Sequence, residues 1–284
     1  MHRADLLEGA AREIGTHAPG LELLTDTLYL PVARWLSAER TRTSRRPFVL
    51  GISGPQGGGK STVAAALVHA ARKSGRRAVR VSSDDFYLVR SAQVGLAERH
   101  PDNPYLQQRG YPGTHDVALG REVLEDLRAG RDLELPRYDK SAHDGQGDRA
   151  PRDRFECVLG RQDLVVLEGW TLGFSPQGRP GLEPTMQTVD RLLAPYAAWN
   201  DCVDAWLLLR AEHLHDIVEW RVESERNRAR RGDTTMGETG ARRYIERCLP
   251  AYRVYAPPLW DKPPSSRVLR VVLRPNRQPR SIEG

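Results

Sequence analysis

The feature that most constrains the fold of this chain is a glycine-rich segment at 54–61, between an apolar run and a helix-forming run. The apolar run at 48–52 predicts a buried strand, and the run at 61–68 predicts a helix. Gly54, four further residues and then Gly59-Lys60-Ser61 match the spacing of a phosphate-binding loop. The glycines of such a loop let backbone N–H groups converge on phosphate oxygens, and the helix N-terminus adds its positive dipole. The segment predicts a site for a nucleoside triphosphate; the alternative is a glycine-rich turn without a ligand.

Two side chains of this segment have predicted roles in phosphate chemistry. Lys60 can reach the β- and γ-phosphates, and the Ser61 hydroxyl can ligate Mg²⁺. The predicted ATP-binding residues are Gly54, Gln56, Gly57, Gly58, Gly59, Lys60, Ser61 and Thr62. ATP and Mg²⁺ are therefore the expected nucleotide and cofactor.

Strand-like and helix-like segments alternate along the rest of the chain. Strands are predicted at 48–52, 78–81, 164–167, 205–209 and 268–273. Helices are predicted at 61–74, 117–129, 186–199, about 213–231 and about 241–252. This alternation predicts an α/β fold of the P-loop NTPase type, in which a doubly wound parallel five-stranded sheet has helices on both faces.

The chain divides into two predicted parts. Residues 1–45 carry apolar residues at helical spacing and are expected to form an N-terminal helical extension, which Pro31 kinks or divides. Residues 46–284 form the predicted nucleotide-binding domain, with a polar insertion at 90–155 and a lid at about 213–235. Long insertions in compact enzymes are usually functional, so the insertion is expected to bind the second substrate.

Composition narrows the class of partner. The 284 residues include 43 Lys and Arg against 37 Asp and Glu, for a formal net charge of +6. This excess suits either a nucleic acid or an anionic small substrate. No aromatic stacking platform or helix-turn-helix pattern accompanies the basic residues, so a nucleic acid is not the expected partner. No apolar run approaches the about 20 residues that span a bilayer, and three scattered cysteines suit the reducing cytoplasm.

Carboxylates follow two of the predicted strands. Glu168 ends the third strand, where a carboxylate reaches Mg²⁺ beside Ser61. Asp84 and Asp85 follow the second strand, where open α/β sheets bind their ligands, and either can take the proton of an acceptor hydroxyl. Each group has a structural alternative. Glu168 could simply accept hydrogen bonds from neighbouring backbone at the end of the strand, and one of the two aspartates could cap the N-terminus of a helix.

The polar stretch at 109–149 alternates cations with acids. Arginine can bind a carboxylate in a bidentate manner, and aspartate can accept hydrogen bonds from hydroxyls. The mixture suits a small polyhydroxy acid. An ordinary surface loop would have a similar composition, and Asp116 could simply cap the helix that follows it.

Arginines crowd the predicted helix at about 213–231. They are Arg221, Arg226, Arg228, Arg230 and Arg231. A lid that closes on ATP needs arginine to neutralise charge on the transferring phosphoryl group. The alternative is a solvated helix face, since Arg221 and Glu225 are spaced for an i,i+4 ion pair.

The combined motifs resemble the P-loop small-molecule kinases that include uridine kinase, phosphoribulokinase and pantothenate kinase. The shared features are the loop at 54–61, Asp84-Asp-Phe-Tyr87, Glu168-Gly169 and Pro136-Arg-Tyr-Asp139. Within that group the closer resemblance is to the D-glycerate 3-kinases of plants and cyanobacteria. It is carried by segments such as Gly113-Thr-His-Asp116, Pro136-Arg-Tyr-Asp-Lys-Ser141 and Leu249-Pro-Ala-Tyr252.

The resemblance implies an ATP-dependent kinase that phosphorylates the 3-hydroxyl of D-glycerate, with Asp84 before Asp85 as the catalytic base. The hypothesis assigns catalysis to Asp84 and Lys60 and the Mg²⁺ site to Ser61 and Glu168. It assigns acceptor binding to Asp85, Tyr87, Arg109, His115, Asp116, Arg137, Tyr138, Lys140 and Arg149. It assigns lid function to Arg221, Arg226 and Arg231.

Within the acceptor site, Arg137, Lys140 and Arg149, with Arg109, are expected to bind the carboxylate. Asp116 is expected to accept a hydrogen bond from the 2-hydroxyl. Two alternatives remain open. One is a kinase of the same fold that acts on a nucleoside or a pantothenate-like alcohol, and the other is a nucleic-acid-dependent ATPase.

Overall fold

A computed structural model describes residues 1–15, 20–44, 46–230, 232 and 235–284. The helices are α1 (Arg3–Ile14), α2 (Leu21–Leu24), α3 (Leu30–Thr41), α4 (Lys60–Lys73), α5 (Arg90–Arg99), α6 (Val117–Ala129), α7 (Pro184–Leu192), α8 (Ala197–Asn200), α9 (Leu214–Arg230) and α10 (Gly237–Asp261). A π-helical segment covers Thr25–Tyr29, and short 3₁₀ turns cover Ser83–Phe86, Arg152–Arg154 and Ala194–Tyr196. No helix in these ranges is long and apolar enough to cross a bilayer.

The strands form one large sheet and two small ribbons. They are β1 (Phe48–Ser53), β2 (Ala78–Ser82), β3 (Leu133–Leu135), β4 (Tyr138–Asp139), β5 (Asp148–Arg149), β6 (Glu156–Val158), β7 (Leu164–Gly169), β8 (Ala205–Ala211), β9 (Val268–Leu273) and β10 (Pro279–Glu283). Among the described residues the large sheet has the order β10-β9-β8-β1-β7-β2. Its first five strands in chain order pair in parallel, which confirms the predicted doubly wound α/β fold.

The predicted count of five strands is incomplete, because β10 pairs with β9 in the antiparallel direction at the sheet edge. Its sequence, Pro279-Arg-Ser-Ile-Glu283, has a single apolar residue after its proline and no alternating apolar pattern. Edge strands tolerate proline and polar residues because one side of the strand needs no partner. The pattern that marks a buried strand is therefore missing here.

Two helices that contain proline differ from their predicted boundaries, and proline explains the first difference. The segment predicted as one helix at 186–199 is split into α7 and α8 around Pro195, which lacks a backbone N–H and begins no regular α-turn there. The helix predicted at about 241–252 instead continues to Asp261, through Pro250, Pro257 and Pro258. Helix α5 in the insertion is an additional element, whose buried residues are only Gln93 and Leu96.

The N-terminal helices pack against the nucleotide-binding domain. Helix α1 lies on α4, the helix that follows the phosphate-binding loop. Leu6 and Ala10 of α1 are fully buried, as is Val32 of α3, and they belong to the same hydrophobic core as the sheet. Burial of such side chains stabilises the folded chain.

The carboxyl ends of β1, β2 and β7 meet at one edge of the sheet. Glu168 of β7 is in register with Ile52 of β1 and with Ser82 of β2. The loop after β1 and the turn after β2 therefore begin beside Glu168. This is the edge at which doubly wound sheets bind ligands.

Replacing Leu6 by alanine is expected to lower the free energy of unfolding by about 2–5 kcal/mol, because the substitution leaves a cavity in the hydrophobic core that α1 shares with the sheet. The matched control is Leu23→Ala on α2, where the side chain is 55% exposed and the expected change is within about 0.5 kcal/mol. Urea denaturation of the full chain measures both. Equal, small effects would mean that α1 does not contribute to the core.

Candidate active site

The loop at 54–61 is held closely by its neighbours. Gly57 has φ +77°, and a Cβ at this position would lie 2.6 Å from the Trp220 Cβ and 3.0 Å from the Trp220 carbonyl carbon. Arg277 Nε donates a hydrogen bond to the Gly57 carbonyl at 2.8 Å, and the backbone N–H of Gln56 donates to the Tyr252 hydroxyl at 3.0 Å. Contacts from α9, α10 and the loop after β9 thus set the shape of the phosphate-binding loop.

Lys60 begins α4 and points back over the loop. Its Nζ donates a hydrogen bond to the Pro55 carbonyl at 3.0 Å, and the residue is 8% exposed. Burial lowers the pKa of Lys60, while the nearby carboxylates of Glu168 and Asp84 oppose that effect. The ammonium group therefore lies in a sheltered position where an anionic ligand of the loop would gain most from it.

The two residues predicted to hold Mg²⁺ are in contact. The Ser61 hydroxyl donates to Glu168 Oε1 at 2.9 Å, and Glu168 is buried. Both offer oxygen atoms, the ligands that Mg²⁺ prefers, and Mg²⁺ is commonly held by one or two protein groups together with substrate phosphates. Within the described ranges no cluster of three His, Cys, Asp or Glu could hold a metal alone. The pair fits a Mg²⁺ ion that arrives with a nucleotide.

Asp84 and Asp85 lie in the 3₁₀ turn that follows β2. The cap of this turn is Ser82, whose hydroxyl accepts a hydrogen bond from the Asp84 N–H, so neither aspartate acts as the cap. Burial raises the pKa of Asp84, but the ammonium of Lys140, bonded to its carboxylate at 2.5 Å, lowers it overall to about 2. Asp85 is paired with Arg137 at 2.7 Å, yet burial raises its pKa. Asp84 is therefore the more completely ionised of the two.

A cleft of about 990 Å³ joins these groups to the insertion and to α9 and α10. The predicted site residues that line it are Gln56, Gly57, Lys60, Ser61, Asp84, Asp85, Tyr87, Arg109, Arg137, Tyr138, Lys140, Glu168 and Arg221. The other predicted loop residues, Gly54, Gly58, Gly59 and Thr62, lie within the loop and the first turn of α4. The cleft thus brings the predicted nucleotide and acceptor halves together.

Three predicted acceptor residues lie outside the cleft lining. Asp116 accepts a hydrogen bond from the Leu119 N–H at 3.1 Å as the N-cap of α6, and it pairs with Arg149 at 3.2 Å. His115 stacks on Tyr87 with ring centroids 4.4 Å apart. Burial lowers the pKa of His115 to about 4, so its ring is neutral at pH 7. In this arrangement Asp116, His115 and Arg149 support the local structure around the cleft.

The three predicted lid arginines have different surroundings. Arg221 lines the cleft and forms the expected i,i+4 pair with Glu225 at 2.6 Å. Arg226 instead donates to both carboxylate oxygens of Glu238, at 2.6 and 2.7 Å, and does not line the cleft. Arg231 lies outside the described residues.

Several cleft residues were not predicted. Helix α10 contributes Arg243, Tyr244 and Arg247, and β2 contributes Arg80. The spacing of the α10 residues places them on neighbouring faces of one helix turn, but that spacing is equally typical of a solvated helix. Arg80 donates to Glu13 of α1 at 2.7 Å and to the Ser61 carbonyl at 3.3 Å.

Similarity to known proteins identifies the family. The chain is 30% identical to a D-glycerate 3-kinase of Cryptococcus neoformans whose structure is solved, and the match covers 90% of this chain and 99% of that one with a TM-score of 0.81. This chain belongs to the D-glycerate 3-kinase family of P-loop kinases. As a member, it is a phosphotransferase with an alcohol group as acceptor.

Two further relatives extend this family assignment. The kinase is 32% identical over 271 residues to the chloroplastic D-glycerate 3-kinase of Arabidopsis thaliana, across 88% of this chain and 59% of that protein. It therefore spans less than two thirds of the plant enzyme. It is also 34% identical to the uncharacterized kinase mug58 of Schizosaccharomyces pombe, across 82% of this chain and 90% of that protein. No protein-family model matches the kinase.

Replacing Gly57 by alanine is expected to weaken ATP binding by about tenfold or more, because the new Cβ collides with Trp220 backbone and Cβ atoms that cannot rotate away. Titration calorimetry with ATP measures the effect. The matched control is Gly75→Ala, which has nearly the same φ, +76°, but no atom within 4 Å of the new Cβ. Equal ATP affinity in the two variants would show that the Trp220 contact does not shape the loop.

Proposed function

We propose that this kinase transfers the γ-phosphate of ATP to the 3-hydroxyl of D-glycerate, giving 3-phosphoglycerate and ADP. The observation that carries the proposal is the single cleft shared by Lys60, the Ser61–Glu168 pair and the ionised Asp84. The names of the Cryptococcus and Arabidopsis relatives support D-glycerate as the acceptor.

The donor half of the site is formed by the loop and β7. Lys60 and the backbone N–H groups of 56–61 would bind the β- and γ-phosphates, and Ser61 with Glu168 would hold Mg²⁺. When bound, Mg²⁺ neutralises negative charge on the phosphoryl group during transfer. The sheltered ammonium of Lys60 acts in the same direction.

The acceptor half begins at Asp84. Its carboxylate orients the 3-hydroxyl and accepts its proton as the new oxygen–phosphorus bond forms. The bond between the γ-phosphorus and the bridging oxygen breaks, and ADP leaves with that oxygen. Because the pKa of Asp84 is about 2, the carboxylate is available as a base throughout the neutral range.

The Lys140–Asp84 pair has a consequence for binding. The ammonium of Lys140 is bonded to Oδ2 of the base, and Tyr87 also forms a hydrogen bond with the Asp84 carboxylate. A carboxylate has about four lone-pair sites, so an acceptor hydroxyl can still donate to it. The insertion that carries Lys140 also supplies Arg109, Arg137 and Tyr138 to the cleft. A cleft with so many cations favours an acidic acceptor over a neutral one.

A reducing compartment such as the cytoplasm suits this kinase. Cys157, Cys202 and Cys248 are all free thiols in the described structure. Burial raises the pKa of Cys248 to about 11, so this thiol stays protonated and unreactive.

An acceptor panel tests the proposed function. ADP release is measured with ATP and Mg²⁺ in the presence of D-glycerate, uridine, pantothenate or single-stranded DNA, and the product is identified by ³¹P NMR. D-glycerate is expected to stimulate ADP release and to yield 3-phosphoglycerate. Stimulation by uridine or pantothenate alone, or by DNA with a steep salt dependence, would falsify the proposal.

Replacing Asp84 by asparagine is expected to lower kcat by about 10²–10⁴-fold, because the amide cannot accept the hydroxyl proton. ATP affinity should remain close to that of the unchanged kinase, since the phosphates contact the loop. The control is Asp201→Asn, an exposed position near the amino end of β8 and thus at the opposite edge of the sheet. A fully active Asp84→Asn variant would remove Asp84 from the catalytic role.

A further inference from the structure

Of the three insertion cations that line the cleft, Arg137 and Lys140 already have carboxylate partners within the protein, and Arg109 donates to the backbone carbonyls of Gly145, Gln146 and Lys140. Arg137 donates to Asp85 and to Glu156, and Lys140 donates to Asp84. An acceptor carboxylate that bound either cation would have to compete with these buried or half-buried pairs. A different cation in the cleft is therefore a better candidate for recognising the acidic group of the acceptor.

Arg247 of α10 is that candidate. Its guanidinium lines the cleft, and in the described part of the chain it forms no ion pair with any carboxylate. Its Nη2 donates a long hydrogen bond to the Arg109 carbonyl, at 3.4 Å, and its Nε–H is buried without a hydrogen-bond partner. A buried donor without a hydrogen-bond partner is unfavourable, and so is a charge without a counter-ion. An anion bound in the cleft would supply the counter-ion of the Arg247 guanidinium.

The position of Arg247 is fixed from several sides. The Tyr111 hydroxyl donates to the Arg247 carbonyl, and the guanidinium lies 5.4 Å from the centre of the Tyr244 ring. Both α10 side chains reach the backbone of the insertion. A Cβ placed on Gly110 would lie 3.2 Å from the Tyr244 hydroxyl and 3.7 Å from Arg247 Nη2. The arginine is thus pre-positioned, which lowers the entropy lost on binding.

Arg247 lines the same cleft as the base. Burial raises the pKa of Tyr244, and the neighbouring carboxylate of Asp84 adds to the increase. Burial likewise raises the pKa of Tyr87, with contributions from Asp84 and Tyr244. Asp84, Tyr87 and Tyr244 all line this cleft, and the Arg247 guanidinium lies 5.4 Å from the centre of the Tyr244 ring.

We propose that Arg247 binds the carboxylate of the acceptor and thereby selects small hydroxy acids over neutral alcohols. Arg137 and Lys140 then serve to orient Asp85 and Asp84. This inference rests on the proposed function, because it names the residue that recognises the acidic end of the same acceptor.

Arg247→Met removes the charge and keeps an unbranched apolar stem on Tyr244. The KM for D-glycerate is expected to rise about 10- to 100-fold, the range for loss of a hydrogen bond to a charged group. The KM for ATP and the thermal midpoint should change little. Arg247→Lys should recover part of the lost affinity, because it restores the charge but not the planar donor fork.

Two matched variants of α10 complete the experiment. Arg253→Met removes the same charge at an exposed position that does not line this cleft, and it should leave both KM values unchanged. Arg243→Met removes the neighbouring exposed cleft arginine, and its effect on the KM for D-glycerate should be smaller than that of Arg247→Met.

The outcomes separate this inference from the proposed function. If the unchanged kinase turns over D-glycerate while Arg247→Met keeps the KM of the Arg253→Met control, the inference is overturned and the function stands. A larger effect at Arg243, or equal increases in the KM values for ATP and D-glycerate, would also overturn it. If the unchanged kinase does not use D-glycerate, the proposed function fails and the inference fails with it.

Discussion

The parallel pairing of β1, β7 and β2 is the constraint on which the rest of the site depends. Parallel strands end at the same edge, so the loop after β1, Glu168 at the end of β7 and the turn after β2 must emerge side by side. Ser61 can then donate to Glu168, and Asp84 lies in the same cleft as Lys60. Three segments that are distant in sequence thus meet at one place because backbone hydrogen bonds pair their strands in parallel.

Around this edge, the chemistry depends on how charges are paired. Lys140 holds the pKa of Asp84 near 2 despite its burial, while Asp85, paired with Arg137, has a raised pKa. Adjacent carboxylates are thereby given different protonation behaviour, which is a common basis for distinct roles. The same pairing neutralises Arg137 and Lys140, whereas Arg247 has no carboxylate partner among the described residues.

Features governed by local rules were predictable. The loop, the five parallel strands and α6 follow from glycine spacing, apolar runs and capping residues, and the structure contains each of them. The edge strand β10 and helix α5 were not predictable, because neither has a strong apolar pattern. Asp116 shows a further limit: the same residue suits a hydroxyl or a helix cap, and its bond with the Leu119 N–H depends on where α6 begins in space.

By itself, the sequence determined the glycine-rich loop between β1 and α4, because the spacing of its residues lies within one continuous segment. It also determined the fold class and the positions of Glu168 and Asp84 at strand ends. Only the tertiary structure decided which cations remain available to an acceptor. The Lys140–Asp84 ion pair joins two segments that are distant in sequence, and Arg247 reaches the same cleft from a third segment. Charge pairing depends on distances in space, which sequence spacing does not encode.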